Sequence, residues 1–315
     1  MAQPTILCIV GPTACGKTTL GVLLAEKLGG EVVSVDSMQI YRGMTIGTAA
    51  PTEREMRGIP HHMVAIADPE ENWSVAKFTE EADKCIQDIL GRGKLPILVG
   101  GTGLYLDAIV AGRSFAPGES GGEIRAQLER RLADEGIEGL LEELRAVDPE
   151  SAERLAPADE KRILRALEVY LETGKTITEH NRESQTIPKK YNAVYIGLAF
   201  AEREDMRALI DLRVDKMVDA GLIDEIRALL SRGLDRSCTA LQAIGYKEFL
   251  TYLDGGATIE EAIEEVKLRS RQYAKRQLTW LRRNKDIFWI IWEKERDFSA
   301  AVRLSTDFLA SEGIQ

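Results

Sequence analysis

Residues 8 to 20 read CIVGPTACGKTTL. Within them, Gly11-Pro12-Thr13-Ala14-Cys15-Gly16-Lys17-Thr18 satisfies G-x-x-x-x-G-K-[ST] at every fixed position, the phosphate-loop pattern. Its glycines let consecutive backbone N–H groups turn toward one polyphosphate. A lysine adds a full positive charge, and a hydroxyl at a helix N-terminus suits Mg²⁺. Gly11, Thr13, Ala14, Cys15, Gly16, Lys17 and Thr18 are therefore candidate phosphate ligands, with Thr18 the candidate metal ligand. The pattern identifies a phosphate and is silent about the reaction.

Working outward, TILCIV (5 to 10) is a short apolar run, and TTLGVLLAEKLG repeats its apolar positions at helical spacing before Gly29-Gly30. That is strand, loop, helix. EVVSVD (31 to 36), LPILVG (95 to 100) and AVYIGLAF (193 to 200) are three further buried-strand candidates, with a helical pattern between the first two of them. Strands alternating with helices imply an α/β fold, a P-loop NTPase-like parallel sheet flanked by helices. Residues 114 to 190 are polar and helix-patterned, opened by APGESGGE and closed by SQTIPKKY, and read as a helical insertion domain. The core domain is then 1–113 with 191–315. After the fourth strand the chain reads as almost wholly helical, with amphipathic stretches at 203–231, 240–254 and 258–284, and Trp289 and Trp292 as core or surface aromatics.

Composition narrows the class. No apolar run approaches the roughly 18 residues of a membrane span, and MAQPTILCIV lacks a basic leader region, so a cytoplasmic protein is expected. Cys8, Cys15, Cys85 and Cys238 form no C-x-x-C pair, which suggests neither a disulfide framework nor a zinc site. The formal net charge of −10 opposes non-specific nucleic-acid binding. Residues 267 to 285, KLRSRQYAKRQLTWLRRNK, nevertheless carry no acid, a local electropositive face.

Three more stretches carry chemistry. Asp36 ends the second strand and opens SMQIYRGMTIGTA, a polar loop suited to reading a substrate. The strand LPILV ends in Gly100-Gly101-Thr102-Gly103, small residues where open α/β sheets bind ligands. His61-His62 has no third metal ligand nearby and reads as packing.

In order along the chain, GPTACGKT, DSMQIYRGMTIGTAAP, His61-His62, GGTGLY, RALEVYLETGK, AIGYKEF and RQYAKRQLTWLRR resemble the bacterial tRNA dimethylallyltransferases, the tRNA isopentenyl transferase family. The resemblance implies transfer of a dimethylallyl group from dimethylallyl diphosphate to N6 of the adenosine 3′ of the anticodon (position 37), in tRNAs reading codons that begin with U. Diphosphate is released with Mg²⁺ assistance, so the phosphate loop would hold a leaving group. Asp36 matches the family's general base, and Thr102 and Arg213 match positions at the diphosphate or the reacting ends. The extruded adenine would meet Asp36, Ser37, Met38, Gln39 and Thr102, with Gln39 reading its edge. Further contacts to the anticodon stem-loop would come from Arg125, from Glu160, Lys161, Arg162, Ile163 and Leu164, from Gly245, Tyr246 and Lys247, and from Lys275, Arg276, Gln277 and Trp280. A monomer is expected. The alternative is a P-loop nucleotide or small-molecule kinase, which leaves the basic segment and the G-G-T-G strand end without a role.

Where the family loop commonly has Ser, this chain has Cys15. Beside Lys17 and a helix N-terminus, that thiol is expected to have a lowered pKa and to be alkylated first.

Overall fold

The structure, a computed structural model, describes residues 3–113 and 122–314. Most of APGESGGE lies outside the described residues. The chain divides into two compact units, Met1–Val110 with Lys190–Gln315, and Ala111–Lys189.

The first unit begins with β1 (Thr5–Val10), α1 (Lys17–Leu28), β2 (Glu31–Val35), α2 (Glu53–Met56), β3 (His61–His62), α3 (Val75–Gly91), β4 (Pro96–Gly100) and α4 (Gly103–Ala111). Helices α5 (Glu123–Glu135), α6 (Ile137–Val147), α7 (Pro149–Arg154), α8 (Glu160–Thr173) and α9 (Ile177–Thr186) make up the described part of the second. The chain then adds β5 (Asn192–Phe200), α10 (Arg203–Asp219), α11 (Leu222–Ser231), α12 (Lys247–Leu253), α13 (Ile259–Leu281), β6 (Ile287–Trp292) and α14 (Phe298–Ser311). All six strands run parallel in the order β3-β2-β4-β1-β5-β6, an α/β fold as the alternation implied.

Side chains alternate across a strand, so a strand buried on both faces feeds two cores. In β1, Ile6, Cys8 and Val10 enter one apolar cluster while Leu7 and Ile9 enter the other. This explains why the run is continuously apolar rather than alternating.

Two expectations need correction. The stretch 203–231 is two helices, because Gly221 at φ 96° adopts a left-handed conformation that ends one helical run before the next begins. The chain after β5 also contains a strand: IFWIIW forms β6, paired with β5 from Tyr195↔Ile287 to Phe200↔Trp292. Trp289 belongs there because Gly197 leaves room, a Cβ on Gly197 lying 2.7 Å from the indole.

The second unit packs Leu128, Leu140 and Leu144 against Ile163, Leu164 and Leu167 of α8. Its Asp148 accepts from the backbone of Ser151 and from the backbone and hydroxyl of Thr178, tying α7 to α9.

At the amino end of β2, Glu31 is 1% exposed. It accepts two bonds from Arg92 (2.5 and 2.8 Å), one from Lys94 (2.7 Å) and one from His62 (2.8 Å). The Arg92 guanidinium above all, helped by Lys94 and His62 and opposed by burial, holds this carboxyl well below the usual carboxylate range. A depressed folded-state pKa gives stability that is present above the unfolded value of about 4.3 and lost as pH falls through the folded one. Glu31→Gln is expected to cost about 2 kcal/mol at pH 7. In urea titrations the deficit relative to wild type should shrink progressively below pH of about 4.

Candidate functional site

Strand order places the candidate residues side by side. Gly100 of β4 is in register with Val10 of β1 on one flank and Val35 of β2 on the other. The loops following these strands therefore open together at their carboxyl ends. They border a cavity of about 610 Å³ whose lining includes Thr13, Lys17, Thr18, Asp36, Gly101 and Arg213. A second, more apolar hollow of about 300 Å³ is walled by Met38, Ile210, Val214, Ile244 and Val266. Thr13, Asp36, Arg213 and Tyr273 line both.

The phosphate loop is wound tightly. Gly11 lies at φ 152° where a Cβ would meet the Leu198 carbonyl at 2.5 Å, and Gly16 at φ 94°. Ala14 also has positive φ, 64°, a conformation costing a non-glycine residue about 1 kcal/mol. It is held from outside: Trp292 Nε1 donates to the Cys15 carbonyl (2.9 Å) and Arg296 Nη1 to the Ala14 carbonyl (3.3 Å). In a trans peptide C=O and N–H point oppositely, so these outward carbonyls turn the next N–H groups, of Gly16 and Cys15, inward. The α1 N-terminus has no side-chain cap, which leaves the first-turn donors for an anion. Lys17 Nζ donates to Pro12 O at 2.7 Å, and burial first, with Arg213 nearby, pulls its ammonium below the ordinary lysine value.

Cys15 departs from expectation. It is fully buried, and burial pushes its thiol up despite the opposing pull of Lys17 and Arg213. Desolvation of a thiolate outweighs the helix end and the lysine.

Asp36 Oδ1 accepts from the backbone N–H of Met38 (2.9 Å) and Gln39 (3.4 Å), an Asx-type turn that aims the loop. Among the described residues no hydrogen bond occupies its Oδ2, and the side chain borders both hollows. Gln39 is committed elsewhere. Its Oε1 accepts from Ser34 Oγ and its Nε2 donates to the carbonyls of Thr48 and Ala49, so its amide braces residues 36–50 from within rather than presenting a free edge to a base. Ser37 and Met38 line the apolar hollow.

Glu225 of α11 anchors the far end of that loop. It accepts from the backbone N–H of Thr45 (2.8 Å), Ile46 (2.8 Å) and Gly47 (3.1 Å), from the Thr45 hydroxyl and from Tyr246 Oη (2.6 Å). Tyr246 has no exposed surface, and a Cβ on Gly47 would lie 2.4 Å from its ring. Expected as an RNA contact, Tyr246 is instead the floor beneath Gly47; Gly245 lines the apolar hollow, and Lys247 beside them is exposed.

On the other side, α13 reaches the loop through Gln277. This residue is 7% exposed and its Oε1 accepts from Thr13 N at 2.8 Å; a Cβ on Gly101 would fall 2.2 Å from its amide. It is thus a bracket between helix and phosphate loop, not an outward-facing phosphate contact. Tyr273, one turn earlier, lines both hollows, and burial raises its phenol. Thr102 Oγ1 is buried and has no hydrogen-bond partner among the described residues. Arg213 borders both hollows; burial lowers its pKa, and Asp36 opposes this. Trp280 donates Nε1 to Asp107 (2.9 Å) and packs where a Cβ on Gly103 would be. Lys275 and Arg276 are exposed on the same helix.

In the second unit, Glu160, Lys161 and Arg162 are exposed on the first turn of α8, whereas Ile163 and Leu164 are core. Helical spacing turns these two side chains into the core of the unit. Arg125 pairs with Glu129 at 2.7 Å. Sequence reasoning missed Glu225, Tyr273 and Arg296, and the bond by which the core aromatic Trp292 holds the loop. Only Tyr273 carried a signal, its i, i+4 spacing from Gln277.

Comparison with known proteins follows the same lines. A family profile described as IPP transferase matches residues 39–284, and one described as isopentenyl transferase matches residues 4–65. The tRNA dimethylallyltransferase of Halalkalibacterium halodurans is 46% identical over 98% of this chain and 97% of its own length. That of Geobacillus thermodenitrificans is 48% identical over 98% and 96%. Among solved structures, a tRNA isopentenylpyrophosphate transferase from Bacillus halodurans aligns with a TM-score of 0.73 at 43% identity, covering 98% of this chain and 96% of that one. A eukaryotic dimethylallyltransferase described as acting on tRNA aligns at 0.82 and 31% identity, covering 98% and 80%. These likenesses lend the kinase alternative no support.

Two outcomes follow from this geometry. Glu225→Ala should destabilise the protein by about 2 kcal/mol and speed amide hydrogen exchange at residues 45–47 more than elsewhere in the sheet unit. Thiol titration of the native protein should label Cys85 and Cys238, both partly exposed, well before the buried Cys8 and Cys15.

Proposed function

The chain belongs to the IPP transferase family, and from that membership we propose that it transfers a dimethylallyl group from dimethylallyl diphosphate to N6 of adenosine 37 in tRNA, releasing diphosphate. The observation that carries the reading is the shared border: Asp36, Thr13 and Arg213 line both the polar cavity at the phosphate loop and the apolar hollow. A diphosphate on the polar side and an apolar or aromatic group on the other would meet at Asp36.

The N6 lone pair forms a bond to C1 of the dimethylallyl group while the C1–O bond breaks, and the diphosphate departs with that electron pair. Asp36 Oδ2 takes the N6 proton. Inward N–H groups of the loop, Lys17 and Arg213 offset the charge developing on the leaving diphosphate. Gln277 holds Thr13, so the phosphate-loop flank of the reacting centre is supported from α13.

Magnesium fits this donor set. Thr18 lines the cavity next to Lys17, and no cluster of three metal-ligating side chains occurs among the described residues. Mg²⁺ characteristically takes few protein ligands and completes its shell with phosphate oxygens and water. Thr18 would hold it, and the ion would supply further charge neutralisation of the diphosphate.

The basic α13 face, with Lys275 and Arg276 exposed, supports binding of the anticodon stem-loop. No helix among the described residues is long and apolar enough to cross a membrane. A cytoplasmic monomer fits the reading.

The test is mass spectrometry of anticodon-arm nucleosides after incubation with dimethylallyl diphosphate. A mass gain of one dimethylallyl group on adenosine is expected, and its absence refutes the proposal. Asp36→Ala should lower kcat by roughly 10²-fold or more while tRNA affinity stays near wild type; an unchanged kcat would remove Asp36 from the role of base.

A further inference from the structure

Resting on the reading that the loop holds a diphosphate, we propose that Arg296 is an additional diphosphate-binding residue, a cation brought to the phosphate loop by the segment between β6 and α14. Three observations converge on it. Arg296 lines the same cavity as Lys17, Thr18 and Arg213. Its guanidinium is close enough to Arg213 to disfavour that residue's charge, an unfavourable proximity that an anion between them would relieve. Finally, its one hydrogen bond among the described residues is a long one, 3.3 Å to the Ala14 carbonyl, and no carboxylate there pairs with it. Glu293, Glu295 and Asp297 surround it in sequence, yet Arg296 alone of this acidic stretch borders the cavity.

The side chain is placed for this work. Its guanidinium lies 5.8 Å from the centre of the Phe298 ring, and that ring fills the space beside Gly16, 2.7 Å from where a Cβ would be. Trp292 meets Phe298 edge-on at 5.4 Å and secures the Cys15 carbonyl. Phe298, backed by Trp292, thus lies against the Arg296 guanidinium beside the loop, and of its donors only Nη1 is engaged among the described residues. A guanidinium presents five donors in a fixed plane, so it can keep its bond to Ala14 and still engage an anion.

Calorimetric titration with inorganic pyrophosphate in magnesium-containing buffer tests this without turnover. Arg296→Ala should weaken pyrophosphate binding roughly tenfold, with the affinity for tRNA unchanged. Two further variants separate charge from loop support. Arg296→Lys keeps the charge and should recover much of the affinity; Arg296→Gln keeps a polar side chain without charge and should not. A pyrophosphate Kd within twofold of wild type in Arg296→Ala overturns the inference while leaving the functional reading intact. Recovery by Gln as complete as by Lys overturns it too, since the residue would then only tether the loop. Wild-type protein that fails to bind pyrophosphate overturns the reading of the loop and this inference with it.

Discussion

Three parallel strands ending in register are the constraint on which everything else rests. Because Gly100 sits between Val10 and Val35, the phosphate loop, the Asp36 turn and the Gly101–Gly103 turn leave the sheet at one level. No side chain intervenes: a Cβ on Gly100 would lie 2.1 Å from the Val35 carbonyl. The closeness of base, phosphate site and apolar hollow is a property of backbone pairing before it is one of side chains. A register shift of a single residue would turn every side chain of the strand to the wrong face and would separate the loops as well.

Around this edge the protein uses polar side chains as brackets. Gln39 spans from Ser34 to the carbonyls of Thr48 and Ala49, Glu225 gathers three amides and a phenol, and Gln277 takes Thr13 N–H. Each satisfies backbone groups that a long irregular loop would otherwise leave unpaired, at a cost of about 1–3 kcal/mol apiece. The same bonds restrict the loops, so less ordering remains to be done when a ligand arrives.

How much of this was legible in the sequence depends on the range of the interaction. Local signals were read well. β1, its loop and α1 follow from a continuous apolar run, a G-x-x-x-x-G-K-T pattern and a helical repeat, all within residues 5 to 28. Gln39, Tyr246, Gln277, Ile163 and Leu164 were assigned to RNA because motif membership says that a residue matters without saying which way it points. In the structure Gln39 and Gln277 brace loops, Tyr246 lies beneath Gly47, and Ile163 and Leu164 lie in a core. Glu225 and Arg296 were invisible, since the loop groups that they hold lie about 180 and 282 positions away in the chain. Cys15 shows a different limit: its charged neighbours are evident in sequence, but the desolvation that outweighs them is not.

The bond from Trp292 to the Cys15 carbonyl links groups 277 residues apart. The phosphate loop is therefore synthesised well before the strand that completes it. During translation α1 and the first strands can pair, yet the carbonyls that aim the loop amides stay untethered until β6 joins the sheet beside β5. Such non-local contacts form late and slowly. Competence to grip an anion is thus delayed until the sheet has closed its far edge, and a partly made chain carries the motif without the trap.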